Sequence, residues 1–218
     1  MVKMVPDKCA IGPVRLGSYL AGIWIVSLGI VLCKKCGLGI SPISCVPLVL
    51  TEALPLSFGT LTMLFHFVNT ALQMVVRRRF DCLDLWLQVP LAFVFGWVID
   101  FLNAALPVAG TTLALAVILL AGSIVFTAAG MALMLGSNLV QNPPDGTVKC
   151  LADVFDRQTG QVKVAYDIAM VVLACVLGLA CCGRMVGIGV ATLASALSVG
   201  RLMGWMQSTG HRLVEAWH

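Results

Sequence analysis

The sequence predicts an all-α, polytopic membrane protein. It should have six transmembrane helices in two inverted three-helix repeats, each with a short broken or re-entrant segment. Three observations carry this. Hydrophobic residues make up 60% of the 218-residue chain and charged residues 11%, with a mean hydropathy of +0.99. A soluble domain is nearer half apolar and a quarter charged. Second, six runs approach the roughly 20 apolar residues that cross the hydrocarbon, at about 16–33, 58–76, 85–106, 112–138, 163–182 and 187–206. Third, a shift of 101 residues places Gly29 on Gly130, Pro42 on Pro143 and Gly59 on Gly160, and three further residues bring Gly96 onto Gly200. The chain is thus one membrane domain, 1–218, with repeat one at about 16–106 and repeat two at about 117–206. Three spans per half is an odd number, so the copies must face opposite sides of the bilayer.

The first run follows Lys3, Lys8 and Arg15, with no small-x-small cleavage site behind it and five more runs ahead. It reads as a retained helix. Between the first and second spans lies Cys36-Gly37-Leu38-Gly39-Ile40-Ser41-Pro42, then an apolar stretch to Leu56 that is too short to span. Ser41 suits an N-cap and Pro42 the first helical position. The matching segment of the second half is Asn142-Pro143-Pro144-Asp145-Gly146-Thr147, then an amphipathic stretch to Phe155. Gly37, Gly39, Ser41, Pro42, Asn142, Pro143, Asp145 and Gly146 therefore mark two broken segments that dip into the protein from opposite sides. Interfacial helices lying flat on the membrane are the alternative.

With six spans, eleven basic residues fall on one side: Lys3, Lys8, Arg15, Arg77, Arg78, Arg79, Lys149, Arg157, Lys163, Arg201 and Arg212. Three, Lys34, Lys35 and Arg184, fall on the other. The richer side should be cytoplasmic and hold both termini. The net charge of +4 follows from this topology and gives no reason to expect a nucleic-acid partner.

Polar residues inside the spans are the functional candidates. Thr62, His66, Asn69 and Gln73 form one face of the second span. His66 falls on Asp167 under the 101-residue shift, and Lys163 stands one turn before Asp167. Asp100, with Gly96 and Asn103, marks the third span near its outer end, and Glu52 pairs with Asp153 under the same shift. Ionisable groups in a span mark a functional path or a packing pair. His66, Asn69, Gln73, Asp100 and Asp167 are read as lining a solute path, helix-to-helix hydrogen bonding being the bland alternative. Small residues on the first and fourth spans, Gly22, Gly29, Gly122 and Gly130 among them, read as packing surfaces.

The nine cysteines carry no ligand spacing and are read as small apolar residues, although Cys33-x-x-Cys36 and Cys181-Cys182 leave a disulfide open. No metal and no cofactor are expected. No phosphate loop, zinc-protease or nucleophile-elbow motif occurs, so no enzyme activity is expected either.

Several stretches resemble a known family. They are Gly37-Leu38-Gly39-Ile40-Ser41-Pro42, Arg78-Arg79-Phe80, Phe95-Gly96-Trp97-Val98-Ile99-Asp100, and Gly160-Gln161-Val162-Lys163 with Asp167. Together they are similar to the YczE/YyaS/YitT-like bacterial integral membrane proteins. Two places depart from that pattern. Pro143-Pro144-Asp145-Gly146 stands where Pro-Gly-Glu-Gly would be expected. Gly187-Ile188-Gly189-Val190-Ala191-Thr192 lacks the Arg and Glu of Gly-Ile-Arg-Glu-Gly-Thr. The resemblance implies a multi-pass protein of the bacterial inner (plasma) membrane. The partners expected are the bilayer and an unidentified small solute, with a homo-oligomer left open. The function expected is small-solute transport, with ion or proton coupling left open, since inverted repeats with broken segments are a common plan of transporters; the alternative is a non-transporting accessory protein that assembles or regulates another complex.

Reporter fusions after Arg79 and after His218 should both read cytoplasmic, and one between Leu106 and Thr111 should read outside. An outside signal at either of the first two overturns the topology.

Overall fold

The computed structural model of the chain describes residues 13–78 and 83–215. Lys3, Lys8, Arg79, Phe80, Cys82, His218 and the Arg212 side chain lie outside the described residues. Among the described residues eight helices follow one another: α1 Pro13–Cys36, α2 Pro42–Ala53, α3 Phe58–Arg77, α4 Leu83–Ala105, α5 Leu113–Gly136, α6 Pro143–Phe155, α7 Thr159–Cys182 and α8 Val190–Glu215. The order long, short, long, long occurs twice. Helices α1, α3, α4, α5 and α7 are long and apolar enough to cross a membrane, while the apolar stretch of α8, Val190–Met206, is shorter. This is the architecture of a multi-pass membrane protein. Leu193, Ile118, Val68 and Trp97, each at least 62% exposed, coat its outside, a surface suited to lipid and unsuited to water.

Local chemistry sets the boundaries. Pro42 and the Pro143-Pro144 pair occupy the first turns of α2 and α6, where a missing N–H costs nothing. Ser57 and Thr112 cap α3 and α5 by accepting from Thr60 N and Leu115 N at 3.1 and 3.3 Å. Left-handed residues Arg78, Asp156 and Gly183 end α3, α6 and α7. Gly37 and Asn138, also 101 residues apart, leave α1 and α5 with φ of 72° and 52°. α8 begins three residues later than the sixth apolar run because Gly187–Gly189 forms a loop against the first break. Ile40 N donates to Gly187 O at 2.8 Å, and Ala191 N to Leu38 O at 3.0 Å.

The two halves meet along α1 and α5, which run antiparallel in close contact. A Cβ on Gly22 would meet the Gly130 carbonyl at 2.9 Å, and one on Gly29 the Ser123 carbonyl at 2.9 Å. Under the 101-residue shift Gly22 becomes Ser123 and Gly29 becomes Gly130, so these are the same contact made twice. Gly130 against Val26 and Gly29 against Thr127 form a second reciprocal pair. The short helices cross over: α2 packs on α7 and α6 packs on α3, each also touching the long helix that follows it in its own half. Neither is a free helix on the surface. Ser44, Cys45, Val46 and Val49 of α2 are buried, as are Gly146, Thr147, Val148 and Cys150 of α6.

One pair of equivalent seams differs. α3 and α4 are packed together, whereas α7 and α8 do not pack along their length. In the first half Gly59 and Gly96 let the backbones touch: a Cβ on Gly96 would meet Gly59 O at 2.7 Å. The equivalents Gly160 and Gly200 have nothing within 4 Å of such a Cβ.

Gly130→Val should overpack the α1–α5 seam, where a Cβ already meets Val26 N at 2.6 Å. The expected loss is about 1–3 kcal/mol. Gly17→Ala, at a position with open space, should leave the melting temperature in detergent unchanged or slightly raised. Equal effects of the two would contradict the seam.

Candidate functional site

Failure of α7 and α8 to close leaves a cavity of about 410 Å³ between the halves. The starts of both short helices reach it, through Ser41 and Pro42 on α2 and Asn142 and Asp145 on α6. α3 supplies Thr62 and His66, α7 supplies Gly160, Lys163 and Asp167, and α8 supplies Ser195 and Gly200. The rest of the wall is mainly apolar, including Ile30, Phe65, Met131, Val164 and Val199. His66 and Asp167, equivalent by sequence, therefore line one chamber.

His66 is 3% exposed. Its ring packs on Phe95 with centroids 4.9 Å apart, and its Nδ1 has no hydrogen-bond partner. On α7, Lys163 Nζ lies 3.0 Å from Asp167 Oδ1 and 3.7 Å from Asp145 Oδ1. Two carboxylates from two helices thus share one ammonium. The i,i+4 spacing on α7 aligns Lys163 with Asp167, and Asp145 arrives because Pro143-Pro144 starts α6 beside them.

Asn69 and Gln73 stand behind the cavity wall, in a hydrogen-bonded clamp. Gln73 Nε2 donates to Pro143 O and to Gln88 Oε1, both at 3.0 Å, and Gln88 Nε2 returns a bond to Gln73 Oε1 at 3.3 Å. The Thr70 hydroxyl also reaches Gln88 Oε1, at 2.9 Å. Asn69 Oδ1 accepts from the Tyr166 hydroxyl at 2.6 Å, and the Thr147 hydroxyl lies 3.2 Å from Asn69 O. Gly146 permits this, since a Cβ there would lie 2.7 Å from Gln73 Oε1. The polar face of the second span thus divides. Thr62 and His66 face the cavity, and Asn69 and Gln73 bind α3 to α4, α6 and α7.

Asp100 is also outside the chamber. Its Oδ1 accepts from Gly59 N at 2.8 Å, and its Oδ2 accepts from the Ser57 hydroxyl. It caps the start of α3, where a carboxylate complements the helix dipole, and fastens the α3–α4 seam. The residue at its place in the second half is Gly204, so the α7–α8 seam has no such fastener. Of the remaining broken-segment residues, Gly37 and Gly39 shape the turn after α1, and Pro143 supplies the carbonyl that Gln73 holds. Glu52 pairs with Arg184 at 2.8 Å on the exposed rim, a contact worth little.

The described cysteines are free thiols. Cys33, Cys36 and Cys45 surround the first break and donate to the carbonyls of Gly39 and Ile40 at 3.7–3.9 Å. Gln88 and Tyr166 escaped the sequence reading. Gln88 is a lone amide in an apolar run, and such a group needs a partner inside the membrane; that signal was there to be read. Nothing in the spacing of Tyr166 pointed to Asn69.

Gln73→Leu would leave Gln88 and the Pro143 carbonyl short of partners in a buried site. It should lower stability by about 1–3 kcal/mol, read as a lower melting temperature in detergent. Asn142→Ala, whose side chain makes only a 3.4 Å contact with Asp145, should cost far less.

No curated protein and no solved structure matches the chain. A family of unknown function, DUF6198, matches residues 13–208. With nearly the whole described structure inside that match, the chain belongs to the family DUF6198.

Proposed function

We propose that the protein is a small-solute transporter of the bacterial plasma membrane, built from two inverted repeats that take turns opening one central chamber. α8 completes a sixth span, its 17-residue apolar stretch reaching about 26 Å at 1.5 Å per residue. Both termini then lie in the cytoplasm, on the side rich in basic residues. α2 and α6 enter from opposite faces as broken segments, and His66 and Asp167 stand on the chamber walls. The resemblance to the YczE/YyaS/YitT-like proteins supports the location.

One observation carries the reading. Two seams equivalent by sequence border a single chamber, and one is closed where the other is open. Gly59 and Gly96 meet under the Asp100 fastener, while Gly160 and Gly200 stand apart. Exchanging the two conformations would close the α7–α8 seam and open the α3–α4 seam. This is alternating access by symmetric repeats. An accessory protein has no need of a chamber or of two unequal seams.

The test is thiol accessibility at Ser195→Cys, a chamber position, in membrane vesicles of known sidedness with a membrane-impermeant maleimide, the labelled peptide being identified by mass spectrometry. Labelling should be fast from the cytoplasmic side and slow from outside. Asp100→Ala, which unfastens the closed seam, should raise the outside rate several-fold without loss of folded protein. Labelling from neither side, with or without Asp100→Ala, would sink the transport reading in favour of the accessory one.

A further inference from the structure

The open seam is lateral. α7 and α8 are both membrane-spanning in the proposed topology, and the space between them faces the bilayer as well as the cytoplasm. At the α7 C-terminal end α2 touches both helices and closes the gap. At the other end Gly160 and Gly200 present no side chain to fill it, and nothing stands within 4 Å of where one would begin. Outward from the gap, Ile168, Leu193 and Leu197 are at least 60% exposed and form a lipid-facing rim. In the proposed topology a molecule dissolved in the inner leaflet would meet this gap without crossing water.

The chamber has the polarity of such a molecule. Val164, Val199, Met203, Met131 and Ile30 make an apolar wall to a chamber of about 410 Å³. The polar groups gather at the α6–α7 corner, where Asp145 and Asp167 flank Lys163. Those three sum to one negative charge. Lys149 also borders the chamber, but it is exposed, and water screens it. The Asp145 carboxylate at 3.7 Å has the looser hold on the shared ammonium, and in a partly desolvated site it favours a second cation. His66, with Nδ1 unpartnered, is a polar point on the opposite wall.

Resting on the transporter reading, we infer that the solute is an amphipath with a cationic head and a hydrocarbon body, admitted sideways between α7 and α8, its head lodged at Asp145 and Asp167. A free inorganic ion would leave the apolar wall unused, and an anionic amphipath would face the surplus carboxylate.

The experiment uses the full chain in lipid nanodiscs and two photoreactive probes. Both carry a dodecyl chain with a diazirine, one ending in trimethylammonium and the other in sulfonate. The cationic probe should label chamber positions such as Met131 and Val199 saturably, several-fold more than the sulfonate probe. An excess of unlabelled dodecyltrimethylammonium should suppress it. Asp145→Asn with Asp167→Asn should erase the preference between heads. Oxidising a Gly160→Cys, Gly200→Cys pair to a disulfide should stop chamber labelling, while lipid-facing Ile168 stays labelled. Equal labelling by both heads would overturn the cationic specificity. Labelling confined to lipid-facing positions would overturn lateral admission. Either result, alongside a Ser195→Cys thiol that is reached from alternate sides, leaves a transporter of a water-borne solute. Loss of that alternation removes the transport reading itself.

Discussion

Where a helix ends against the body of the protein, the N–H and C=O groups of the irregular backbone that follows must find partners there. The chain breaks in this way after α1 and after α5, and much of the structure is arranged around those two breaks. The carbonyls of Leu38, Gly39 and Ile40 and the amides of Leu38 and Ile40 are met by Gly187, Ala191 and the thiols of Cys33, Cys36 and Cys45. At the second break the Pro143 carbonyl is met by Gln73. In both cases some of the partners come from the other half of the chain, Gly187 and Ala191 at the first break and Gln73 at the second, beside own-half groups such as the Cys36 thiol and the Thr147 hydroxyl. These crossed contacts tie the two halves together, and the antiparallel α1–α5 seam runs between them.

Interlocking constrains how the molecule can move. The α1–α5 contact and the two crossed contacts, α2 on α7 and α6 on α3, appear in both halves and are densely packed. Glycines pressed against backbone leave those surfaces no slack. What is free to differ is the third long helix of each half. α4 is fastened to α3 by Asp100, and α8 has Gly204 at the equivalent place.

Much of the fold was legible because Gly and Pro are constrained by backbone geometry and not by hydrophobicity. Gly29, Gly130, Pro42 and Pro143 mark close approaches and helix starts, and they kept their spacing where Leu and Val drifted. The site was half legible. The stripe from Thr62 to Gln73 pointed inward throughout, yet one turn separates a chamber wall from a structural clamp, and spacing along a single helix does not say which neighbour it meets. His66 faces Phe95 and the chamber, while Asn69 meets Tyr166 on another helix. Asp100 misled for a related reason. A carboxylate near the end of one span looks the same in sequence whether it faces a cavity or caps the next helix, and only the nearness of Ser57 and Gly59 decides.

The uncharged stretch Gly187–Thr192 has a physical reading of the same kind. The first break lies directly on Gly189: a Cβ built on Gly39 would meet Gly189 N at 2.8 Å and the Thr192 hydroxyl at 3.1 Å. A side chain as long as arginine at Gly189 would enter the space that the Leu38 carbonyl and Gly39 fill. In this chain the loop is therefore closed by backbone, through the Ile40–Gly187 and Leu38–Ala191 hydrogen bonds. Gly187–Thr192 carries no ionisable residue. The charged groups left on the chamber wall are then those at the α6–α7 corner, at the opposite end of α7 from this loop. The polarity of the chamber follows from the way the first break is sealed.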